Sequence, residues 1–140
     1  MEDCIFCKIA KGEIDSVKIW EDEKILAFLD VNPLTKGHCL IIPKNHFENV
    51  FDIEPEILKE IIVLAKNLAG QVKNNLGAEG VNLINASGRA AEQSVFHFHL
   101  HIVPRYENDG LNMNNWWQTK TKKANIEELK KLAEEIKSKS

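Results

Sequence analysis

Short apolar runs separated by turn-forming residues dominate the first third of the chain. Residues 17–20 and 24–29 are rich in apolar side chains and flank an acidic turn at 21–23, which predicts a β-hairpin. The segment 32–37 contains proline and glycine and interrupts this pattern. A third strand is predicted at 39–42, where a short apolar run is ended by a proline.

A helical period follows over residues 52–76. Asp52 can cap the start of this helix, Pro55 is tolerated in its first turn, and Gly77 can end it. The apolar positions recur at the spacing of one helix face, and they are Ile57, Leu58, Ile61, Ile62, Ala65, Leu68, Ala69 and Val72. The pattern therefore predicts a long central helix.

The second half of the chain predicts two more strands and a terminal helix. A strand at 81–85 is followed by a loop of small residues at 86–91, and a histidine-containing strand at 95–103 is stopped by a proline. Asn125 and Glu128 have the spacing of a capping box. The apolar face of the helix after this cap comprises Ile126, Leu129, Leu132, Ala133 and Ile136.

The order of these elements favours one fold class. Strands and helices do not alternate regularly, so an α+β fold with a mainly antiparallel sheet of about five strands is favoured over a doubly wound fold. The 140 residues contain no internal repeat and no shift in composition. We therefore predict a single domain over residues 1–140.

Charge and composition exclude several kinds of partner. The net charge is −3 and no basic stripe is present, which argues against nucleic acid. A phosphate-containing substrate stays possible, because a phosphate site needs local donors rather than global charge. No stretch has the length of a membrane span, and the acidic start at residues 1–3 is unlike a signal peptide. We expect a cytoplasmic protein without a membrane partner.

Three histidines alternate with apolar residues in the last predicted strand. His97, His99 and His101 would share one face at a spacing of about 7 Å, while the apolar residues between them share the other face. Such a row can be a set of surface histidines or a three-histidine metal centre. It can also supply the acid or base of a reaction near neutral pH. Spacing alone does not decide among these alternatives.

The pair Cys4-x-x-Cys7 predicts metal or redox chemistry near the N-terminus. Three cysteines are too few and too odd in number for a disulfide framework. A redox pair requires a helix behind a buried strand, and no strand is predicted before this motif. Zinc requires four sulfur or imidazole ligands, for which His38, His46 and the histidine strand are candidates. Cys39 lies in an apolar strand and is predicted to be a core residue.

The histidine segment resembles the signature of the histidine triad superfamily. Residues 93–103 read Gln-Ser-Val-Phe-His-Phe-His-Leu-His-Ile-Val, which is a highly specific order. The resemblance extends to residues 4–9, 26–30, 37–38 and 41–44. The chain is similar to the bacterial Hit branch, close to the Hint phosphoramidases. This resemblance implies a HIT-like α+β fold and a homodimer.

The resemblance also implies a nucleotide hydrolase. His99 would attack the α-phosphorus of a nucleoside phosphoramidate or a dinucleoside polyphosphate and form a covalent nucleotidyl-histidine. His101 and Ser94 would act beside it at the phosphate and the leaving group. Gln93 and the backbone near Val95 would donate hydrogen bonds to phosphate oxygens. No catalytic metal is implied, and the alternative function is a non-catalytic nucleotide-binding or adaptor protein.

A purine nucleotide site is implied by further matching positions. Asp30 corresponds to an aspartate that accepts hydrogen bonds from ribose hydroxyls, although its place before a proline turn is also typical of a turn cap. Asn85 corresponds to a polar residue near the phosphate. The positions that enclose the base correspond to residues that could equally be core, namely Phe6, Ile9, Ile14, Phe28 and Val31.

The resemblance further implies a structural zinc site formed by Cys4, Cys7, His46 and His97. Such a site would attach the N-terminal segment to the histidine strand. Closed four-ligand sites of this kind contribute stability rather than chemistry. We therefore expect zinc as a structural cofactor.

Two positions outside these sets bear on substrate binding. Glu92 occupies a position that is usually glycine in the family, where a glycine lets the backbone approach the phosphate. Two outcomes are open for Glu92: its side chain tilts away from the phosphate, or its charge weakens the binding of anionic substrates. The two tryptophans at 116–117 are typical of packing, although the C-terminal segment of the family lies near the leaving group.

Overall fold

Eight regular elements and one short 3₁₀ helix form the part of the chain that the structure describes. This computed structural model describes residues 3–113 and 122–138. In chain order the elements are α1 (Ile5–Ala10), β1 (Lys18–Glu21), β2 (Ile25–Leu29), β3 (Cys39–Pro43), α2 (Pro55–Leu76), β4 (Gly80–Ile84), β5 (Leu100–Arg105) and α3 (Ile126–Ser138). The 3₁₀ helix, Arg89–Ala91, lies between β4 and β5.

The five strands form one antiparallel sheet in the order β1–β2–β3–β5–β4. β2 pairs with β3 over its whole length, from Ile25 opposite Pro43 to Leu29 opposite Cys39. β5 lies between β3 and β4 and pairs with both. The predicted α+β class, with about five antiparallel strands, a long helix and a C-terminal helix, is confirmed.

Both faces of the central strands are buried. Successive side chains of a strand point to opposite faces, so each strand contributes to two apolar clusters. The cluster beneath α2 includes Ile25, Ala27, Cys39, Ile41, Ile61, Leu64, Ala65, Leu68, Phe98, Leu100 and Ile102. The cluster that contains α1 comprises Phe6, Ile9, Leu26, Phe28, Leu40 and Ile42. Coverage of both faces explains why β2 and β3 are continuous apolar runs without polar alternation.

The ends of α2 follow from local backbone chemistry. The helix begins at Pro55. The first N–H groups of a helix have no acceptor within the helix, so the missing N–H of a proline costs no hydrogen bond there. Gly77 ends it in the left-handed region with φ 77°, as predicted. The prediction that Asp52 caps the helix is wrong, because its carboxylate accepts from the N–H groups of Glu48 and Asn49 at 2.9 and 2.8 Å. Glu54 occupies the cap position, and Asp52 stabilises the turn before the helix.

The histidine strand begins later than predicted. β5 spans Leu100–Arg105, so two of the three histidines precede it, and the predicted strand at 95–103 is corrected. The N–H of Phe98 donates to the carbonyl of Phe47 at 2.6 Å, outside the ladders of the sheet. This contact with the loop after β3 takes the place of strand pairing just before β5.

β5 also continues through Pro104, which was predicted to stop it. Pro104 lies opposite Val81 of β4, and its carbonyl accepts a hydrogen bond from the Thr35 hydroxyl at 2.6 Å. The N–H and the carbonyl of one strand residue point to the same neighbouring strand. The position where Pro104 lacks an N–H is therefore on the edge of β5 that faces Thr35, not on the edge that pairs with β4. β3 pairs with β5 only as far as Ile102, and no ladder bond is lost there.

The chain divides into two units between Asp109 and Gly110. The first unit contains the sheet with α1 and α2, and the second contains α3. Oδ1 of Asn125 accepts from the N–H groups of Glu127 and Glu128 at 2.8 and 3.4 Å, which confirms it as the cap of α3. No helix in the described ranges combines the length and apolar content needed to cross a membrane. The single domain stays a prediction.

Candidate active site

The three histidines lie on the face of the sheet that carries α1. The apolar residues between them belong to the cluster beneath α2, which confirms the predicted alternation. The alternative of a row of surface histidines is wrong, since His97 is 0% and His99 is 7% exposed. The ring of Phe6 from α1 lies 5.9 Å from the ring of His97 and 5.1 Å from that of His99. The sequence pattern did not predict α1, and this helix covers His97 and His99.

The hydrogen bond of His99 determines which ring nitrogen can react. Nδ1 of His99 lies 2.8 Å from the main-chain oxygen of His97. A carbonyl can only accept, so Nδ1 carries the proton and donates it. The neutral ring then holds its lone pair on Nε2. Burial lowers the pKa of His99 below its ordinary value, which favours this neutral form at neutral pH.

A chain of hydrogen bonds fixes the proton of His101. The N–H of Leu34 donates to Nδ1 of His38 at 3.0 Å, so His38 carries its own proton on Nε2. Nε2 of His38 lies 3.0 Å from Nδ1 of His101 and donates to it. The neutral His101 therefore carries its proton on Nε2. Burial lowers the pKa of both rings, that of His101 to about 4.

Asp30 closes a turn and faces the histidine pair. Its Oδ1 accepts from the N–H of Asn32 at 2.8 Å, which confirms the turn role that its spacing indicates. Its Oδ2 lies 3.6 Å from Nε2 of His38. The contact with a ribose stays a prediction, with Oδ2 as the oxygen that Asn32 does not use.

A cleft of about 390 Å³ opens beside His99 and His101. Nine predicted site residues line it: Phe6, Ile9, Phe28, Asp30, Val31, Ser94, Val95, His99 and His101. Sequence reasoning missed six further lining residues, which are Ile5, Asp15, Ser16, Leu29, Asn32 and Leu40. These six come from segments that meet only through strand pairing and the packing of α1, for which the sequence contains no local signal.

Ile14, Asn85 and Gln93 were predicted at the substrate but are not among the residues that line this cleft. Ile14 is 37% exposed. The amide Nδ2 of Asn85 donates to the main-chain oxygen of His99 at 3.0 Å. Asn85 therefore contacts the backbone of the candidate nucleophile.

The side chain of Gln93 is an internal connection between loops. Its Nε2 donates to the carbonyls of Glu48 and Val95 at 2.7 and 3.1 Å. Its Oε1 accepts from the N–H of Gly88 at 2.8 Å and from the amide of Asn49 at 3.3 Å. Both N–H groups of the amide are already used, and the predicted phosphate contact of this side chain is corrected accordingly.

The backbone of Glu92 explains why glycine is expected at its position. Glu92 adopts φ 66° and ψ 32°, a left-handed conformation that glycine adopts without strain. Its side chain is exposed and is not among those that line the cleft. The tryptophan pair at 116–117 lies outside the described residues.

Cys4, Cys7, His46 and His97 form a cluster with the geometry of a zinc site. Each offers one ligand atom, and these atoms lie within 4.8 Å of one another. Sγ of Cys4 lies 3.3 Å from Nδ1 of His97, and Sγ of Cys7 lies 3.3 Å from Nδ1 of His46. A tetrahedral zinc with bonds of about 2.3 Å to sulfur and about 2.0 Å to nitrogen separates S and N by about 3.5 Å. The cluster therefore fits zinc.

The protonation of His97 suits a metal ligand. The carbonyl of Pro43 accepts from Nε2–H of His97 at 2.8 Å, which leaves the Nδ1 lone pair facing the sulfurs. Burial lowers the pKa of His97 to about 4, so the ring is neutral as a metal ligand must be. Burial, followed by the neighbouring Cys4 sulfur, raises the pKa of the Cys7 thiol to about 11. The thiolate is the form that binds metal, so zinc bound at Cys7 would displace this thiol proton.

Asp30, His38 and His101 also place ligand atoms within 4.8 Å of one another. A metal would need the lone pair of Nε2 of His38, but the hydrogen bond from Leu34 puts a proton on that atom. Metal binding there would cost this hydrogen bond. The row of histidines therefore divides between two clusters, because His97 joins the cysteines and His101 joins His38.

Comparison with known proteins identifies the family. A family model described as the HIT domain matches residues 11–108. The protein Hit of Bacillus subtilis (strain 168) is 42% identical over 136 residues, which cover 96% of this chain and 92% of that protein. The adenosine 5′-monophosphoramidase hnt1 of Schizosaccharomyces pombe is 40% identical over 136 residues, which cover 97% of each chain. The chain belongs to the HIT family, as the sequence resemblance implied.

A solved structure shows the same fold. The chain matches a Zn-bound histidine triad family protein from Mycobacterium smegmatis with a TM-score of 0.76 and 39% sequence identity. The match covers 80% of this chain and 81% of that chain. The relative was thus solved with zinc bound, and this chain contains a cluster of cysteines and histidines that fits the same metal.

Proposed function

We propose that this protein hydrolyses nucleoside phosphoramidates through a covalent nucleotidyl-histidine on His99. Dinucleoside polyphosphates, which present the same α-phosphorus, are the second candidate substrates. The observation that carries this proposal is the hydrogen bond from Nδ1 of His99 to the carbonyl of His97 at 2.8 Å. It leaves a neutral imidazole with its lone pair on Nε2 beside a cleft of nucleotide size.

Substrate binding would use both kinds of wall in the cleft. Phe6, Ile9 and Phe28 offer an apolar surface for a flat purine. Asp30 would accept hydrogen bonds from the ribose hydroxyls. This arrangement brings the α-phosphorus towards His99, with Ser94 beside it as a hydrogen-bond donor.

In the first step, Nε2 of His99 forms a bond to the α-phosphorus. The bond from phosphorus to the bridging nitrogen breaks, and its electron pair goes to that nitrogen. The bridging nitrogen enters the reaction protonated, so the leaving group departs as a neutral amine. Nε2–H of His101 would donate a hydrogen bond to a phosphate oxygen as charge develops. The product is a cationic nucleotidyl-imidazole whose Nδ1–H still donates to the carbonyl of His97.

In the second step, water attacks the phosphorus and the bond to Nε2 breaks. The electron pair of that bond returns to the ring of His99 and restores its neutral form. One proton of the water stays on the nucleoside monophosphate, and the other passes to the released amine. Division of one displacement into two steps lowers each barrier.

The comparisons support the reaction class, and the metal cluster supports a separate structural role. The name of the Schizosaccharomyces pombe relative describes a phosphoramidase, which acts on the bond type proposed here. Zinc held by Cys4, Cys7, His46 and His97 would attach α1 to the histidine segment. It would supply stability, and both steps above proceed on residues of the chain alone.

The experiment is hydrolysis of adenosine 5′-phosphoramidate by wild type, His99→Ala and His99→Asn. AMP release by wild type, with loss of about 10⁴-fold or more in both variants, is the expected result for removal of a nucleophile. Calorimetric binding of AMP to all three proteins controls for folding of the cleft. Diadenosine polyphosphate is tested as a second substrate.

Two outcomes would overturn the proposal. Binding of AMP by wild type without turnover of either substrate would indicate a nucleotide-binding or adaptor protein. Turnover that survives in both His99 variants would place the nucleophile elsewhere. A phosphorus–nitrogen adduct trapped on His99 by acid-free quench and mass spectrometry would support the covalent step directly.

A further inference from the structure

The main-chain oxygen of His99 lies just beyond the end of the β4–β5 ladder. The last residue pair of that ladder is Ile84 opposite His101. Asn85 follows β4 directly, and its Nδ2–H donates to the oxygen of His99 at 3.0 Å. A side-chain amide thus provides a hydrogen bond at the position where the backbone ladder has stopped.

The orientation of this amide is determined by its second contact. The hydroxyl of Ser87 donates to Oδ1 of Asn85 at 2.7 Å. The oxygen of Ser87 in turn accepts from the N–H of Val50 at 3.0 Å. Oδ1 is therefore the acceptor and Nδ2 the donor, and the three residues connect the backbone of His99 to the loop before α2.

These contacts hold both ends of the His99 residue. Its ring donates from Nδ1 to the carbonyl of His97 at 2.8 Å, and its own carbonyl accepts from Asn85. The preceding residue, Phe98, is held separately by its N–H bond to Phe47. A nucleophile must align with the bond that breaks, and a displacement of about 1 Å can cost about 100-fold in rate.

We propose that Asn85 is a positioning residue that aims Nε2 of His99 through its main chain, with Ser87 holding the amide. This inference rests on the proposed hydrolase function, for which the resemblance placed Asn85 near the phosphate. Asn85 acts on the alignment of the nucleophile, so it affects the chemical step more than the binding of nucleotide.

The experiment compares Asn85→Ala, Asn85→Asp and Ser87→Ala with wild type. We expect kcat for adenosine 5′-phosphoramidate to fall by about 10- to 100-fold in both Asn85 variants, and by less in Ser87→Ala. The dissociation constant of AMP should stay within about twofold of the wild-type value, because the variants change the alignment of the nucleophile and not the contacts that bind the nucleotide. Asn74→Ala, at an exposed position of α2, is the matched control and should retain wild-type kcat.

A spectroscopic readout separates this inference from the hydrolase proposal. The ¹⁵N chemical shifts of the imidazole of His99 should report the Nδ1–H form in wild type and a mixture of forms in Asn85→Ala. This measurement needs no turnover, so it still tests Asn85 if no substrate is hydrolysed. An unchanged kcat would overturn the inference, and if no substrate is hydrolysed, unchanged shifts would overturn it. Weakening of AMP binding by about tenfold or more in Asn85→Ala would also overturn it, in favour of a phosphate contact.

Discussion

Nε2 of His38 lies 3.0 Å from Nδ1 of His101, and the direction of this hydrogen bond is set by a third residue. The N–H of Leu34 donates to the other nitrogen of His38 at 3.0 Å. A backbone N–H can only donate, so Nδ1 of His38 is an acceptor and the neutral ring carries its proton on Nε2. His38 must therefore donate to His101, which accepts. The proton that His101 presents is consequently determined by a peptide group more than sixty residues away in the chain.

Replacement of His38 by asparagine should reduce the pH dependence of stability. Burial lowers the pKa of His38 from 6.5, so the unfolded chain binds its proton first as the pH falls. The contribution of His38 is fully present above about pH 6.5 and is lost as the pH falls towards the folded pKa.

Urea unfolding at about pH 7.5 and about pH 5.5 measures this difference. The loss of unfolding free energy between the two conditions should be smaller in His38→Asn than in wild type. An equal loss in both proteins would show that His38 does not titrate as a buried neutral ring.

Loss of the metal cluster should weaken nucleotide binding as well as stability. Cys4 and Cys7 flank Phe6 on α1, and Phe6 lines the cleft with its ring 5.1 Å from that of His99. Cys7→Ser should lower both the melting temperature and the affinity for AMP. The coupling is reciprocal, so AMP should raise zinc affinity by the factor by which zinc raises AMP affinity.

Competition with a chromophoric chelator, with and without AMP, measures the zinc side of this coupling. Cys39→Ala is the matched control, because Cys39 is buried beneath α2 and is not part of the cluster. It should retain zinc stoichiometry and the coupling. Identical AMP affinity of the zinc-loaded and zinc-free wild type would refute the prediction.

Glu92→Gly should stabilise the protein by about 0.5–1 kcal/mol, because a left-handed conformation strains any residue with a Cβ. Glu92 has φ 66° and lies at the end of the 3₁₀ helix. Glu92→Ala removes the same charge but keeps the Cβ, so it should give no such gain. Chemical denaturation of the three proteins compares them, and an equal gain in both variants would point to charge as the cause.

Ile61→Ala should destabilise the protein by about 2–5 kcal/mol, as expected for a buried aliphatic side chain. The neighbouring Ile62→Ala should cost less than about 1 kcal/mol. Both residues are isoleucines of α2, and they differ in exposure, 0% for Ile61 and 48% for Ile62. Equal losses of unfolding free energy would contradict the packing of α2 against the sheet.

Local pattern was enough to predict most of the elements. β2, β3 and α2 follow from runs and periods of apolar residues, and Gly77 and Asn125 end or begin helices through their own backbone or side-chain chemistry. The alternation of histidines with core residues also follows from the sequence, because a two-residue period needs no distant partner. Asp52 was misplaced as a cap because two nearby N–H groups in the preceding turn compete for its carboxylate.

The tertiary structure decided what the rings of His97 and His101 contact. His97 and His101 have the same spacing from His99, yet one faces two sulfurs and the other faces His38. Gln93 and Asn85 likewise bond to protein groups that strand pairing and loop packing bring to them. The position of a proton on an imidazole depends on whether its neighbours donate or accept. His99 has its acceptor two residues away, at His97, whereas the partners of His97 and His101 come from distant segments. The spacing of residues in the sequence therefore determines the set of histidines but not the protonation of His97 and His101.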